Sequence, residues 1–249
     1  MDFDLDADQQ ALQETTRAFC ADRYPMTVVR AHGEGFDRAR WRELAQLGVF
    51  GGDLGLTDLA LVFEELGRAL VPGPLVASVL AAPFVDGVAK GDSLVTAVER
   101  GGPGALLVEY GSSADAILGI DDDGIHRLAP TAAPAPVANP LDPSTPLAAI
   151  DDPGAGALVA GPDVAAEWRR TGSLLTAALL LGIAGATTDI AVAYAHDRHQ
   201  FGRPIGSFQA VKHRLADMFA RAEVARASVY AAAVTHTEDR PGTGPGSPP

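Results

Sequence analysis

The stretch RHQFGRPIGSFQAVKHRLADM, residues 198–218, is a basic segment in an acidic chain. Residues 196–226 carry six Lys/Arg side chains against three acids, although the 249-residue chain has a formal net charge of -13. Two helix-like patterns meet here around a Phe-Gly-Arg-Pro-Ile-Gly turn. Since the residue before a proline avoids the helical region, Arg203-Pro204 is expected to end the first helix. Ser207 is expected to cap the second helix.

The polar residues around this turn permit two interpretations. The Arg198 guanidinium, the amides of Gln200 and Gln209, and the first N–H groups of a helix together suit a phosphate or pyrophosphate. Alternatively, the segment is a helical hairpin whose charges are simply solvated. The residues alone leave both open, but the acidic balance of the whole chain argues against nucleic acid as a partner.

Outward from the turn, the pattern predicts a mainly α protein with a small β region in the middle. We expect a helical N-terminal domain at 1–90, a reduced β region at 91–162, a helical C-terminal domain at 163–237 and a disordered tail at 238–249. Residues 164–198 can form one long helix or two. The helix after the turn shows a 3,4 apolar repeat, typical of a seam against another helix.

Local signals within the N-terminal third are specific enough to test. Asp6 and Gln9 form a capping-box pattern before the first helix. The run LTDLALVFEELGRAL predicts a helix capped by Thr57. Glu64 is expected to pair with Arg68 one turn later and, with the adjacent Glu65, to lie on the solvent face.

The middle region reads as short strands. SLVTAV, GALLVEY, DAILGI and GALVA predict strands, four or five in all, with a hairpin turn at Asp121–Gly124. In the helical segment that follows, Gly182 and Gly185 are expected where another backbone comes close. Cys20 is the single cysteine, and its apolar surroundings favour a buried structural thiol.

Targeting signals are absent from the pattern. The acidic N-terminus has no apolar segment of a signal peptide, and the uncharged runs at 70–85 and 173–188 are short for a bilayer. A chain with one cysteine cannot form an internal disulfide. The sequence therefore predicts a cytoplasmic protein without membrane insertion and, since His196 and His199 have no third partner, without a metal site.

The stretch at 198–218 resembles the signature of the acyl-CoA dehydrogenase family, R-x-Q/x-F-G-x-P-I-x-x-F-Q-x-x-x-x-x-L-A-D/E-M. The preceding helix and the segments LDADQQALQETTRAF, WRELAQLGVFG and DLALVFEELGRALVPGPLVASVL are similar to the family in the same order. The resemblance covers about two thirds of the chain and is weakest at 87–165. It implies a helical N-terminal domain, a β middle domain and a C-terminal four-helix bundle, of which this chain shows a part.

The resemblance also implies a function. It implies an oxidoreductase that desaturates an acyl-CoA thioester at its CH–CH group with FAD as hydride acceptor, as in fatty acid or steroid degradation. Residues matching Arg198 and Gln209 contact the pyrophosphate or adenosine part of FAD in the family, and those matching Gln200 and Phe201 lie beside it. That FAD usually belongs to a neighbouring subunit. The implied partners are therefore acyl-CoA, a second copy or a homologous subunit in a dimer or tetramer, and electron-transfer flavoprotein.

Two family features have no counterpart in this sequence. The flavin-covering motifs of the middle domain do not occur between Asp86 and Trp168. The catalytic base is unknown: one family position falls near Gly172, Glu167 lies five residues earlier, and the other family position would come after GTGPGSPP. Two alternatives to an active enzyme follow. The chain is then a non-catalytic subunit that contributes an FAD interface to a heteromeric dehydrogenase, or an inactive truncated fragment.

Overall fold

The computed structural model describes residues 5–31, 36–52, 54–102 and 104–238. These residues form two compact units, each built from separate segments of the chain. Unit 1 contains residues 1–24, 55–71 and 174–249, and unit 2 contains residues 25–54 and 72–173. The mainly α fold with a small β region is confirmed, whereas the division at residues 90 and 162 stays a prediction. The predicted tail lies, apart from Glu238, outside the described residues.

Unit 1 is helical. It holds α1 (Ala7–Arg23), α4 (Leu56–Arg68), the larger part of α6 (Pro162–Asp197) and α7 (Gln209–Glu238). The capping box of α1 is confirmed: the Asp6 carboxylate accepts the Gln9 backbone N–H at 2.8 Å, and the Gln9 side chain accepts the Asp6 N–H at 3.3 Å. Of the two possibilities that the sequence left open, one long helix or two, the structure shows one long helix, α6, and α7 follows it after a short turn.

The central helix of unit 1 is α4, and its surroundings correct two predictions. Every residue from Leu59 to Gly67 is buried, so this helix has no solvent face. Its N-cap is Gly55 and not Thr57, because the helix starts at Leu56 and places Thr57 inside the first turn. Glu64 and Glu65 are 2% and 1% exposed, so the prediction that they lie on a wet face is wrong.

Close backbone contact explains two glycines of unit 1. A Cβ at Gly182 would meet the backbone carbonyl of Glu64, and a Cβ at Gly67 would meet the carbonyl of Leu179. Only glycine lets α4 and α6 approach this closely, as predicted for Gly182. A Cβ at Gly185 would meet the Arg68 guanidinium at 2.9 Å, so there the neighbour is a side chain instead of a backbone.

Unit 2 combines short helices with the β region. It holds α2 (Met26–Ala31), α3 (Arg38–Gln46), α5 (Leu75–Ala81) and the first turns of α6. The strands are β1 (Val95–Glu99), β2 (Leu106–Glu109), β3 (Ala116–Asp121), β4 (Gly124–Arg127), β5 (Ala135–Pro136), β6 (Leu147–Ile150) and β7 (Ala157–Ala160). One sheet has the order β1-β3-β4-β7 and the other β2-β6-β5.

The strand predictions are confirmed in position, though the described residues of this region hold seven strands where four or five were expected. The predicted hairpin joins β3 and β4, which pair antiparallel with Asp121 opposite Gly124. The Asp121 carboxylate accepts the N–H groups of Asp123 and Gly124 at 3.0 and 3.1 Å and so fixes the turn. One core cluster packs the first sheet against α5 and α6, with Leu118, Ile125 and Trp168 among its members.

Candidate functional site

The turn between α6 and α7 is a small hairpin with an aromatic tip. Strands β8 (His199–Gln200) and β9 (Arg203–Pro204) pair antiparallel across a two-residue loop, Phe201-Gly202. Both loop residues have positive φ, 53° and 76°. Two such residues give the hairpin turn that matches strand twist, and a phenylalanine in this conformation is strained. The Phe201 side chain is 91% exposed, so no core packing explains the strain.

The hairpin is fixed to the last turn of α6. The Arg198 N–H donates to the Tyr194 carbonyl at 2.8 Å, and the Ile205 N–H donates to the Arg198 carbonyl at 2.8 Å. The first helix therefore ends at Asp197, seven residues before Pro204, which was expected to end it. The polar hydrogen bonds of the hairpin, and not Pro204, stop α6.

The start of α7 also differs from the prediction. Ser207 belongs to a short 3-10 turn, Ile205–Ser207, and its hydroxyl donates to the Pro204 carbonyl at 2.7 Å. Ser207 therefore does not cap α7, which begins at Gln209. In the described chain, the backbone N–H groups of Gln209 and Ala210 donate to no acceptor. A helix start with unpaired N–H groups attracts an anion.

The four predicted site residues lie within this turn and its flanks, and each is exposed. Arg198 follows α6, Gln200 is in β8, Phe201 is at the tip, and Gln209 is the first residue of α7. Among the residues that the structure describes, no hydrogen bond or ion pair engages the side chains of Arg198, Gln200 or Gln209. Their donors are thus directed to solvent and remain available to a ligand.

A second guanidinium near the turn has a different role. The Arg203 guanidinium carbon lies 4.2 Å from the centre of the Phe208 ring, a cation–π contact. Phe201 meets the same ring edge-on, with centroids 6.1 Å apart. Arg203 and Phe208 therefore stiffen the hairpin, while Arg198 keeps its charge unpaired.

These features fit the diphosphate part of FAD. A diphosphate needs a cation that is not already neutralised, hydrogen-bond donors, and a helix start, and Arg198, Gln209 and the first turn of α7 supply them. An exposed aromatic side chain such as Phe201 offers a flat apolar face beside them. A cofactor site normally buries most of its ligand, whereas these four residues form one open wall.

The anchoring of α7 is a feature that the sequence patterns did not reveal. The Glu64 side chain in α4 accepts two hydrogen bonds from Arg226, from Nε at 3.2 Å and Nη2 at 2.9 Å, and one from the Tyr230 hydroxyl at 2.6 Å. Its neighbour Glu65 accepts Nε and Nη2 of Arg17 in α1, at 2.9 and 2.7 Å. The two adjacent glutamates thus hold α4 to α7 and to α1.

The expected pair of Glu64 with Arg68 is accordingly wrong. Arg68 donates from Nη2 to Asp189 in α6 at 2.6 Å and lies 3.9 Å from Glu65. Because Glu64 faces α7, its carboxylate is turned away from Arg68. The sequence signal that could have revealed the burial of Glu64 is the distribution of apolar residues around α4. A helix with apolar residues on every side has no solvent face on which its acidic residues can lie.

The electrostatics of the Glu64 cluster agree with its geometry. Burial would lower the pKa of Arg226, but its hydrogen bonds to Glu64 and Glu223 outweigh burial and raise the pKa above its ordinary value. Burial, followed by the hydrogen bond to Glu64, raises the pKa of Tyr230. Arg226 is thus held charged and Tyr230 neutral, so both remain donors to the buried carboxylate.

No carboxylate takes the position of a catalytic base in the segment around residue 172. A Cβ at Gly172 would face Leu80 and Val76, at 3.4 and 3.6 Å, in an apolar part of unit 2. The Glu167 carboxylate accepts hydrogen bonds from Arg170 at 2.8 Å and from the Thr171 hydroxyl at 3.1 Å. The Glu167 carboxylate is therefore hydrogen-bonded to side chains of its own helix, α6.

Cys20 is buried, and burial raises the pKa of its thiol to about 12. This confirms the prediction of a structural thiol, because a thiol with a raised pKa is a poor nucleophile at neutral pH.

Comparison with protein families identifies both helical ends of the chain. Residues 6–88 match the acyl-CoA dehydrogenase N-terminal domain, and residues 161–247 match the acyl-CoA dehydrogenase C-terminal domain. The acyl-CoA dehydrogenase IpdE2 of Mycolicibacterium smegmatis is 36% identical over 245 residues, which cover 91% of this chain and 76% of that protein.

Solved structures give the same fold. A chain of the ChsE4-ChsE5 complex from Mycobacterium tuberculosis has a TM-score of 0.78 at 27% identity, covering 96% of this chain and 80% of that chain. The structure of PigA with FAD and proline has a TM-score of 0.76 at 19% identity, covering 97% and 82%, a likeness of fold alone. Among the described residues, α6 is long and apolar enough to cross a membrane by length and composition, a test that core helices also pass.

Proposed function

This chain belongs to the acyl-CoA dehydrogenase family, whose members are FAD-dependent oxidoreductases, and on that basis we propose that it binds FAD through Arg198, Gln200, Phe201 and Gln209. The observation that carries the proposal is the turn between α6 and α7. It combines an unpaired guanidinium, an open helix start and a strained, exposed aromatic tip. In the part of unit 1 that the structure describes, Arg226 and Tyr230 already hold α7 to Glu64 in α4, so the exposed side chains of the turn are not needed to hold the helices together.

Each residue has a part that follows from its position. Arg198 neutralises the diphosphate, and Gln209 donates its side-chain amide next to the first N–H groups of α7. Phe201 lies against a flat part of the cofactor, with Gln200 as the adjacent polar contact. When bound, FAD serves as hydride acceptor for oxidation of the CH–CH group of an acyl-CoA thioester.

Because the four residues form an exposed wall, the other wall of the site comes from a second chain. That chain is a second copy or a homologous subunit, in a dimer or tetramer. Electron-transfer flavoprotein is the proposed acceptor of the electrons, and the cytoplasm is the proposed compartment. Acyl-CoA is the proposed substrate, and the carboxylate that removes its proton is not assigned to a residue of this chain.

A second candidate function is favoured by the region around Gly172. No carboxylate occupies that position, and Glu167 is engaged by Arg170 and Thr171. The similar chain in the ChsE4-ChsE5 complex comes from an assembly of two different proteins. The chain is then a non-catalytic subunit that supplies the FAD anchor while a homologous partner supplies the base.

Flavin absorbance of the purified protein separates these functions. The active enzyme retains yellow flavin alone and is bleached by butyryl-, octanoyl- or palmitoyl-CoA. The interface subunit retains flavin only when it is co-expressed with a homologous subunit. A protein without flavin in both preparations would contradict both candidates.

A matched pair of variants tests the anchor itself. Arg198→Ala is expected to weaken FAD retention at least tenfold, because it removes the one unpaired guanidinium of the turn that the structure describes next to the start of α7. Arg221→Ala removes the same charge from the exposed surface of α7, where Arg221 only pairs with Asp217, and is expected to retain FAD like the unchanged protein. Equal retention in the two variants would show that Arg198 is only a solvated charge.

A further inference from the structure

A cavity in unit 2 lies between the loop that joins β5 to β6 and the turn that follows β2. Its volume is about 250 Å³. Since an apolar cavity of about 150 Å³ holds benzene, this one has room for two fused rings. Much of its wall consists of proline rings: Pro136, Pro140, Pro143 and Pro146. These rings are rigid and have no N–H group, so they present flat apolar surfaces without hydrogen-bond donors.

Tyr110 forms another part of the wall and is fixed by three hydrogen bonds. Its N–H donates to the Pro146 carbonyl at 2.7 Å, its hydroxyl donates to the Ser144 carbonyl at 2.8 Å, and the Gly73 N–H donates to that hydroxyl at 2.8 Å. These bonds hold Tyr110 at a φ of 55°, a strained conformation for a bulky residue. The wall of the cavity is therefore ordered before a ligand arrives, which lowers the entropy cost of binding.

The described residues that line the cavity are all uncharged. Burial raises the pKa of Tyr110 to about 12, so its phenol is neutral at physiological pH. The carboxylate of Asp142, in the same loop, does not line the cavity but accepts the Ser144 N–H at 3.0 Å and the Thr145 hydroxyl at 2.9 Å. A wall without a cation or a carboxylate gives an ionic ligand no partner, so the cavity favours an uncharged one.

Two serine hydroxyls of the wall are available to a ligand. In the described chain, the Ser113 hydroxyl has no hydrogen-bond partner, whereas the Ser113 carbonyl already accepts Nη2 of Arg38 at 2.7 Å. The Ser112 hydroxyl reaches the Pro134 carbonyl only at 3.5 Å, beyond the usual length of such a bond. Because a hydroxyl can both donate and accept, these serines suit a ligand that carries a hydroxyl of its own.

We propose that this cavity binds an uncharged aromatic alcohol of one or two fused rings. The aromatic ring lies against the proline rings, the same kind of contact by which proline-rich segments dock on aromatic side chains. The ligand hydroxyl meets the Ser113 hydroxyl. An anionic ligand such as a phosphate has no partner in this wall, so the cavity is a site of different chemistry from the turn between α6 and α7, and it does not depend on the binding of FAD.

Saturation-transfer NMR of 2-naphthol with the full chain at pH 7 tests the ligand class. A Kd of about 0.1–1 mM is expected, as for a small ligand in a partly open cavity. 2-Methylnaphthalene lacks the hydroxyl and is expected to bind about fivefold more weakly. Decahydro-2-naphthol has no aromatic ring and is expected to bind about threefold more weakly. The anion 2-naphthoate is expected not to bind. Binding of 2-naphthoate or decahydro-2-naphthol as tight as that of 2-naphthol would overturn the proposal.

A matched pair of variants locates the binding site. Ser112 is exposed at the mouth of the cavity, so Ser112→Phe is expected to block it and to abolish binding of 2-naphthol. Ser173→Phe adds the same ring to the exposed surface of α6 in unit 2, away from the residues that line the cavity, and is expected to bind 2-naphthol like the unchanged protein. Equal binding by the two variants would overturn the proposal.

A conservative variant tests the polar contact. Ser113→Ala is expected to weaken binding of 2-naphthol about fivefold and to leave binding of 2-methylnaphthalene unchanged, because only the first probe has a hydroxyl to lose a partner. An equal effect on both probes would overturn the assigned contact. Circular dichroism verifies that each variant remains folded. None of these variants alters a residue of the turn between α6 and α7, so a negative result here would leave the FAD proposal untouched.

Discussion

Replacing Arg226 with methionine is expected to destabilise unit 1 strongly. The substitution keeps most of the apolar side-chain volume but removes both guanidinium donors from Oε1 of Glu64. The Glu64 side chain is 3% exposed, so the carboxylate cannot turn to water, and only the Tyr230 hydroxyl still donates to it. Breaking a buried pair by removing one partner costs about 3–5 kcal/mol.

For Arg226→Met we expect a loss of stability at the lower end of this range. Arg226 is itself 27% exposed, so water can enter part of the space that the guanidinium leaves and solvate Glu64. We therefore expect the free energy of unfolding of unit 1 to fall by about 3 kcal/mol. The control is Arg221→Met on the same helix, where both partners of the ion pair are well exposed and about 0.5 kcal/mol or less is at stake.

Urea unfolding followed by two probes measures the effect. Both tryptophans, Trp41 and Trp168, lie in unit 2, whereas much of the helical circular dichroism comes from unit 1. Arg226→Met is expected to lower the urea midpoint of the helical signal. The double variant Glu64→Gln/Arg226→Met is expected to lose less than the sum of its single variants, since neither partner then stays charged and unpaired. A midpoint no lower than that of Arg221→Met would refute the reasoning.

Three further outcomes are expected. Gly182→Ala is expected to destabilise the protein in thermal unfolding because its Cβ would meet the Glu64 carbonyl, whereas Gly172→Ala, with ordinary contacts, is expected to be neutral or slightly stabilising. Cys20 is expected to react with iodoacetamide far more slowly at pH 8 in the native protein than in urea, since burial raises its pKa to about 12. The hydrogen bond from Arg38 lowers the pKa of Asp115, so its stabilisation is present above the unfolded pKa of about 4 and is lost as pH falls through the native value. Asp115→Asn is therefore expected to lower the thermal midpoint at pH 7 and to make little difference near pH 2.

The sequence predicted those parts of the fold whose signals are local. The Asp6–Gln9 capping box and the Asp121–Gly124 turn depend on residues a few positions apart, and both are confirmed. The caps at Thr57 and Ser207 were wrong for a related reason. A serine or threonine before a helical pattern marks the start within about two residues, and Gly55 and Phe208 lie that close to the expected positions.

The interior of unit 1 could not be predicted from local pattern. Adjacent residues on a helix point about 100° apart, so Glu64 and Glu65 face different neighbours, and those neighbours, Arg226 and Arg17, are 162 and 48 residues away. Periodicity assigns acids to solvent by default. That default fails on α4, because a helix that is buried on every side must pair its charged residues inside the protein.

The same helix that presents the proposed FAD anchor is thus secured far from it. α7 begins at Gln209, whose side chain and N–H group face solvent, and it is tied to α4 by Arg226 and Tyr230, about 25 and 32 Å further along the helix axis. Directional hydrogen bonds matter here because apolar contacts between two helices allow one helix to slide along the other. A shift of one residue would turn Arg226 about 100° away from Glu64 and leave a buried carboxylate unpaired. The buried acid therefore fixes the register of α7, and with it the direction in which the anchor residues of the turn are presented.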